Sequence, residues 1–172
     1  MKTMLLAWLS SAMRVAVVSA LVFLLIVNFV GQGFRVDGRC MEPNLHDGER
    51  VLTEKVSYRW RQPQRGDIVV FRVPDGTNEL MVKRVIALPG ERISIRDGEV
   101  YVNGRLLPEP YRRYEMHYFM REKTVPEGML FVMGDNRDVS NDSRDWGFLP
   151  VRDVMARVWC RYRLPGRFEL VR

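Results

Sequence analysis

Twenty consecutive residues without a charge, Val15 to Phe34, constrain this chain more than any other feature. As a helix such a stretch is about 30 Å long, the thickness of a hydrocarbon core. From Val15 to Val30 only Ser19 and Asn28 are polar, so the polar stripe of a surface-packed core helix is missing. A cleaved signal peptide has a shorter apolar run ending in small residues. Val27-Asn28-Phe29-Val30 is a poor cleavage site, although Gly31-Gln32-Gly33 keeps that option in view. The expectation is one transmembrane helix over 15–34. Lys2, the α-amine and Arg14 place residues 1–14 in the cytoplasm, against Arg35 and Arg39 beyond the span. Residues 35–172 then form an extracytoplasmic domain.

The formal charge of +6 suggests nucleic acid until it is divided. Residues 1–35 carry Lys2, Arg14 and Arg35 and no acid, which leaves 24 basic against 21 acidic side chains beyond them. That mixed surface is no nucleic-acid footprint, while contact with a lipid bilayer stays open. Cys40 and Cys160 form no CxxC pair, and a zinc site would need both of them with His46 and His117 at spacings no common zinc module uses. Neither a metal nor another cofactor is expected. A disulfide between the two cysteines would consume Cys40, which is needed below.

After Pro43 the chain reads as strands punctuated by turns. Arg50 to Val56 alternates weakly. Ile68 to Val73 is a continuous apolar run closed by Pro74-Asp75-Gly76, and Leu80 to Leu88 is a second strand stopped by Pro89-Gly90. Asp97-Gly98 joins Arg92–Arg96 to Glu99–Val102, and Asn103-Gly104 makes another hairpin turn directly after. Residues 105–127 read as a surface excursion. Met129 to Met133 returns to strand, a polar loop follows to Gly147, and Val154 to Leu164 is a last strand or pair. The fold class is mainly β.

Two residues could carry chemistry. Lys83 lies in Met81-Val82-Lys83-Arg84-Val85-Ile86, where period-two alternation sets it between Met81 and Val85 on one face. Burial there disfavours an ammonium and leaves an amine able to take a proton; the competing view is a stem that covers apolar surface while its tip reaches water. Cys40 follows a turn at Asp37-Gly38 and precedes Pro43, so it sits on a rigid loop able to present a nucleophile, with its own amide available to an oxyanion. The competing view is a small buried hydrophobe. His46, beside Asp47, is the rival base. The loop from Gly134 to Gly147 is dense in hydrogen-bonding side chains and reads as a braced buttress, with Asp142 able to pair with Arg144 or Arg137.

Taken together, Gly38 to Leu45, Arg65-Gly66-Asp67, Lys83 to Glu91 and Gly134 to Gly147 resemble the type I signal peptidases, a Ser/Lys group of membrane-bound endopeptidases that remove signal peptides from exported proteins. The resemblance implies a signal-peptidase-like antiparallel β domain of coiled sheets behind one membrane anchor in the cell membrane. It also implies exported preproteins as partners, cut after small residues while bound extended along a strand edge. In the pattern G-x-S-M-x-P-T-L this chain has Cys40 in place of the serine. The resemblance assigns Cys40 as nucleophile, Lys83 as general base and Ser140 as the hydroxyl that orients the lysine. It makes Asp142 and Arg144 a structural ion pair and Ser143 a further polar support. Longer members place a serine two residues before the nucleophile; Gly38 stands there, so the oxyanion site rests on the Cys40 backbone amide. A thiol at this position fits an active peptidase, and it fits equally a signal-peptide-binding protein with impaired or absent turnover. A self-cleaving repressor-type peptidase shares the β core but calls for a different segment where the apolar stretch lies.

Overall fold

A computed structural model describes residues 13–24, 33–73, 79–163 and 167–171. Residues 13–24 are helical (α1), and their apolar side chains, Val15, Leu21 and Phe23 among them, are exposed. This helix lies across the start of the expected span, whose remainder, 25–32, falls outside the described residues apart from the short strand that opens at Gly33. Among the described residues no helix is long and apolar enough to cross a membrane.

The rest is built from two antiparallel sheets. The larger one takes in β1 (Gly33–Arg35), β2 (Arg50–Glu54), β3 (Ile68–Arg72), β4 (Leu80–Ala87), β9 (Met129–Met133), β10 (Leu149–Pro150) and β11 (Val154–Arg163), in the order β1-β2-β11-β3-β4-β9-β10. A final strand, β12 (Arg167–Leu170), pairs with the far end of β11. The smaller sheet runs β7-β6-β5-β8, from β5 (Arg92–Arg96), β6 (Glu99–Val102), β7 (Arg105–Leu106) and β8 (Met120–Thr124). Two one-turn helices interrupt the strands, α2 (Ser57–Trp60) and α3 (Ser143–Trp146).

The two predicted hairpin turns form as their residues dictate. Asp97 and Gly98 sit at φ 50° and 72°, Asn103 and Gly104 at 53° and 78°, so both central residues of each turn occupy the left-handed region a two-residue hairpin needs. Gly98 has a second reason to lack a side chain, because a Cβ there would meet the Met116 carbonyl oxygen at 2.1 Å.

That contact corrects the reading of 105–127. Part of this segment is structural: β7 pairs with β6, β8 pairs with β5, and Met116, Met120 and Val125 are buried with Ile93, Ile95 and Phe131. Only Met120 of β8 faces inward, so neither alternation nor an apolar run marked the strand. What remains is a strap over 107–119 between β7 and β8, which crosses the surface and is pegged to the core by Met116.

Strand β3 is buried along Ile68–Phe71, as its unbroken apolar run requires, because both faces of the large sheet are covered there. One side packs Val69, Phe71, Val85, Leu130 and Val132; the other packs Ile68 and Val70 with Val36, Met41, Leu45 and Val51. Cys40 and Val82 lie against the second cluster.

Candidate active site

The turn bearing Cys40 is pinned at both ends. Gly38, at φ 82°, donates its N–H to Asp47 Oδ1 at 2.8 Å, and Leu45 N donates to the Met41 carbonyl at 2.9 Å. Met41 and Leu45 are fully buried and act as pegs. Between them the Cys40 carbonyl accepts from Asn136 N at 3.0 Å, which ties the turn to the polar loop. The Cys40 amide has no acceptor among the described residues.

Strand β4 pairs with β3 from Leu80 to Arg84 and with β9 only from Arg84 onward, so its second edge is open over Leu80–Lys83 among the described residues. Along that edge runs a groove of about 270 Å³ lined by Phe34, Val36, Cys40, Val82, Lys83 and Val139 among others. Lys83 is 3% exposed and, among the described residues, makes no ion pair and no hydrogen bond. Its stem is covered, and the amine opens onto the groove.

Cys40 and Lys83 share this groove but are not bonded to each other. The thiol's hydrogen bond goes to the Val82 carbonyl at 3.8 Å. Val82 and Lys83 are consecutive in β4 and both line the groove where the edge of that strand is open. Ser140 stands close by: a Cβ built on Gly134 would meet Ser140 Oγ at 2.3 Å and the Cys40 carbonyl at 2.5 Å, so both converge on that glycine. Ser140 Oγ is buried without a hydrogen-bond partner. His46 is half exposed, 4.0 Å from Glu42, and does not line the groove. Both cysteines are free, and burial pushes the Cys160 thiol up from its ordinary value.

The loop beyond Gly134 is braced as expected. Asp142 caps α3, accepts from Gly134 N at 2.9 Å and pairs with Arg144 Nε at 2.8 Å. Ser143 Oγ accepts from Val132 N at 3.0 Å, which fastens α3 to β9. Arg144 Nη2 donates to the carbonyls of Arg137 at 2.7 Å and Ser140 at 3.1 Å, so the ion pair shapes the backbone that carries Ser140.

Sequence reasoning missed Arg84 and Asp135, and it offered Arg137 to Asp142 where the structure gives it to Glu109. Arg84, 1% exposed, forms a bidentate pair with the fully buried Asp135 at 2.8 and 2.7 Å and donates to the Gly66 carbonyl at 2.9 Å. Arg137 is held by Glu109 of the strap in the same bidentate way and reaches the Gly134 carbonyl at 3.0 Å. Burial opposes the Arg137 charge, and the Glu109 carboxylate more than restores it. Tyr111 covers Arg84, ring to guanidinium 4.1 Å. A larger hollow, about 620 Å³ between the β5–β6 turn and residues 112–119, contains none of the residues singled out for chemistry.

A β domain whose large sheet carries, at an open strand edge, a groove lined by a thiol and a lysine amine beside a braced polar loop has the build of a β-class endopeptidase. Comparison with known proteins supplies the family. The family described as "Signal peptidase, peptidase S26" matches residues 8–163, and the chain belongs to it. It is 39% identical over 152 residues to a probable signal peptidase I-1 of Synechocystis sp., an alignment taking in 84% of this chain and 78% of that one. Signal peptidase IB of Staphylococcus aureus is 31% identical over 94% of this chain and 91% of its own. Thylakoidal processing peptidase 1 of Arabidopsis thaliana is 38% identical over 74% of this chain, which spans only 40% of that relative. In three dimensions a signal peptidase I from Enterococcus faecalis V583 is similar at TM-score 0.50 and 36% identity, covering 57% of this chain and 97% of its own.

Proposed function

We propose that this chain removes signal peptides from exported preproteins through a Cys40/Lys83 dyad. The observation that carries the reading is Lys83 itself: an amine buried without a counter-charge in the groove that also holds the half-buried Cys40. Among the described residues no carboxylate ties up this amine, which leaves it available to the thiol that shares the groove. The substrate pairs its backbone with the open edge of β4 over Leu80–Lys83, and apolar walls from Phe34, Val36 and Val82 favour small side chains beside the scissile bond.

In acylation Sγ swings from the Val82 carbonyl toward Nζ and gives up its proton to Lys83 as the S–C bond forms. The C–N bond then breaks, and the leaving amine takes the proton from Lys83. The free Cys40 amide is the oxyanion donor, and Ser140 Oγ, without another partner, orients the amine. In deacylation water gives a proton to Lys83 and its oxygen bonds to the carbonyl carbon. The C–S bond breaks, and the proton returns to sulfur. Asp142, Arg144 and Ser143 hold the loop in register. The apolar stretch anchors the chain in the cell membrane, with 1–14 cytoplasmic and the domain outside; the anchor ends before Gly33, not at Phe34, because Gly33–Arg35 is already strand β1 paired with β2, and the exposed apolar side chains of α1 support the placement. No metal or other cofactor enters the scheme.

The thiol's bond to Val82 favours a second reading, a membrane protein that binds signal peptides with little or no turnover. Intact-mass analysis after exposure to a signal-peptide substrate separates the two. An acyl adduct on Cys40, with cleavage lost on alkylation, supports the dyad; cleavage undiminished after complete alkylation of Cys40 overturns it.

A further inference from the structure

Asn44 has no part in that scheme, yet its side-chain amide spends both hydrogens inside the site. Nδ2 donates to Asp135 Oδ2 at 2.8 Å and to the Tyr111 carbonyl at 2.8 Å, while the Asn44 carbonyl accepts from Arg161 Nη1 at 2.8 Å. Asp135 also holds Arg84, the neighbour of Lys83 on β4. Asn136, next to Asp135, donates to the Cys40 carbonyl at 3.0 Å. One amide thus joins four segments: the turn with Cys40, the strand with Lys83, the loop leading to Ser140, and the strap.

From this juxtaposition we infer that Asn44 is a positioning residue, which sets the Cys40 turn against β4 and recruits the strap to hold it there. The inference rests on the dyad reading above. The strap end of the link is itself fixed. Glu109 holds Arg137, and Arg112 donates to the Gly98 carbonyl at 2.5 Å and to Glu99 at 2.5 Å. The choice of asparagine matters because both hydrogens of its side-chain amide are used. A hydroxyl has one hydrogen to donate and an amide nitrogen has two, so threonine can serve the Asp135 carboxylate or the strap carbonyl but not both.

The test uses the full chain in detergent or vesicles with Asn44→Thr and Asn44→Ala. The readouts are kcat and KM on a preprotein, the rate of Cys40 alkylation by iodoacetamide, and the thermal midpoint. With the turn loosened by a fraction of an ångström, kcat falls about fivefold in Asn44→Thr and about thirtyfold in Asn44→Ala, with KM within about twofold. Over the same series Cys40 alkylation speeds up by about threefold or more, because the turn that half covers the thiol no longer holds it. Unchanged kcat and unchanged alkylation in both variants overturn the inference, as does a loss confined to KM or one that tracks the thermal midpoint alone. A parent chain that neither cleaves nor acylates defeats the dyad reading, and the alkylation series still decides the place of Asn44.

Discussion

Lys83 and Arg84 are neighbours in β4 and almost equally buried, at 3% and 1% exposure, yet the two faces of the strand treat them in opposite ways. Arg84 meets a carboxylate, a carbonyl and an aromatic ring; Lys83 meets no polar partner among the described residues. The same contrast extends outward. Asp135, Asp142 and Arg137 are saturated with bonds, whereas Ser140 Oγ and the Cys40 amide have none. Buried polar groups normally find partners, and an unmet one carries a desolvation penalty. Among the described residues the groove holds the unpartnered Lys83 amine and Cys40 amide, Ser140 Oγ lies just outside its lining, and a further unmet donor, Trp146 Nε1, packs elsewhere beside Phe71.

Breaking the contrast at its centre gives the largest effect. Lys83→Met keeps the shape and removes the amine, so preprotein cleavage drops by about 10²–10⁴-fold, the usual contribution of a positioned base. Urea midpoints stay at or above the parent's, because no partner is orphaned. Arg84→Met is the mirror experiment. It leaves the buried Asp135 carboxylate with Asn44 Nδ2 as its remaining donor among the described residues, a loss of about 3–5 kcal/mol in urea unfolding. Equal stability losses in the two variants, or equal activity losses without unfolding, would erase the distinction between the faces.

How much of this was readable in the chain follows from distance along it. The hairpins at Asp97-Gly98 and Asn103-Gly104 are local, since two residues determine each turn, and β5 and β6 fall where those turns put them. Lys83 stood out because its immediate neighbours are apolar, whereas the one-turn helix α3, too short for any periodicity, lay unread inside the polar loop. Arg84 was overshadowed by the residue beside it, since its partner lies 51 positions away. Asn44 was hidden for the same reason: its partners lie 67 and 91 residues off, and nothing in a turn sequence tells which carbonyl an amide will find. Nor does composition show that the thiol turns to Val82, a choice made by the angle at which the turn meets β4.

A middle-sized effect sharpens the contrast sterically. Gly134 stands where the saturated loop meets the reactive groove, and an added methyl would press on Ser140 and the Cys40 carbonyl at 2.3–2.5 Å. Gly134→Ala is expected to cost about 1–3 kcal/mol by overpacking and to lower kcat by tens of fold, since the main chain of Cys40 must yield. Gly104→Ala is the control. That glycine has open space around it but sits at φ 78°, so alanine costs about 1–2 kcal/mol of strain and leaves kcat alone.

The smallest effect separates the regions by pH. Asp67 belongs to the saturated part: burial alone would raise its carboxyl, but Arg61 at 2.9 Å, Gln64 N at 3.0 Å and Tyr58 Oη at 3.1 Å together hold it below the usual carboxylate range. Glu54 is lowered likewise; burial opposes, and Ser57 N at 2.9 Å with Arg157 at 3.0 Å prevails. A carboxyl depressed in the folded state contributes stability that is fully present above its unfolded value, about 4, and is lost as pH falls through the folded value. Unfolding free energy should therefore be flat in these terms from pH 7 to about 5 and decline below about 4. Asp67→Asn, which cannot titrate, starts about 1–3 kcal/mol lower at pH 7 and declines less steeply between about pH 4 and 2. Lys83→Met, which touches only the unsatisfied side, keeps the parent's acid slope. If Asp67→Asn kept that slope as well, the acid sensitivity would not arise in the bonded network around β3.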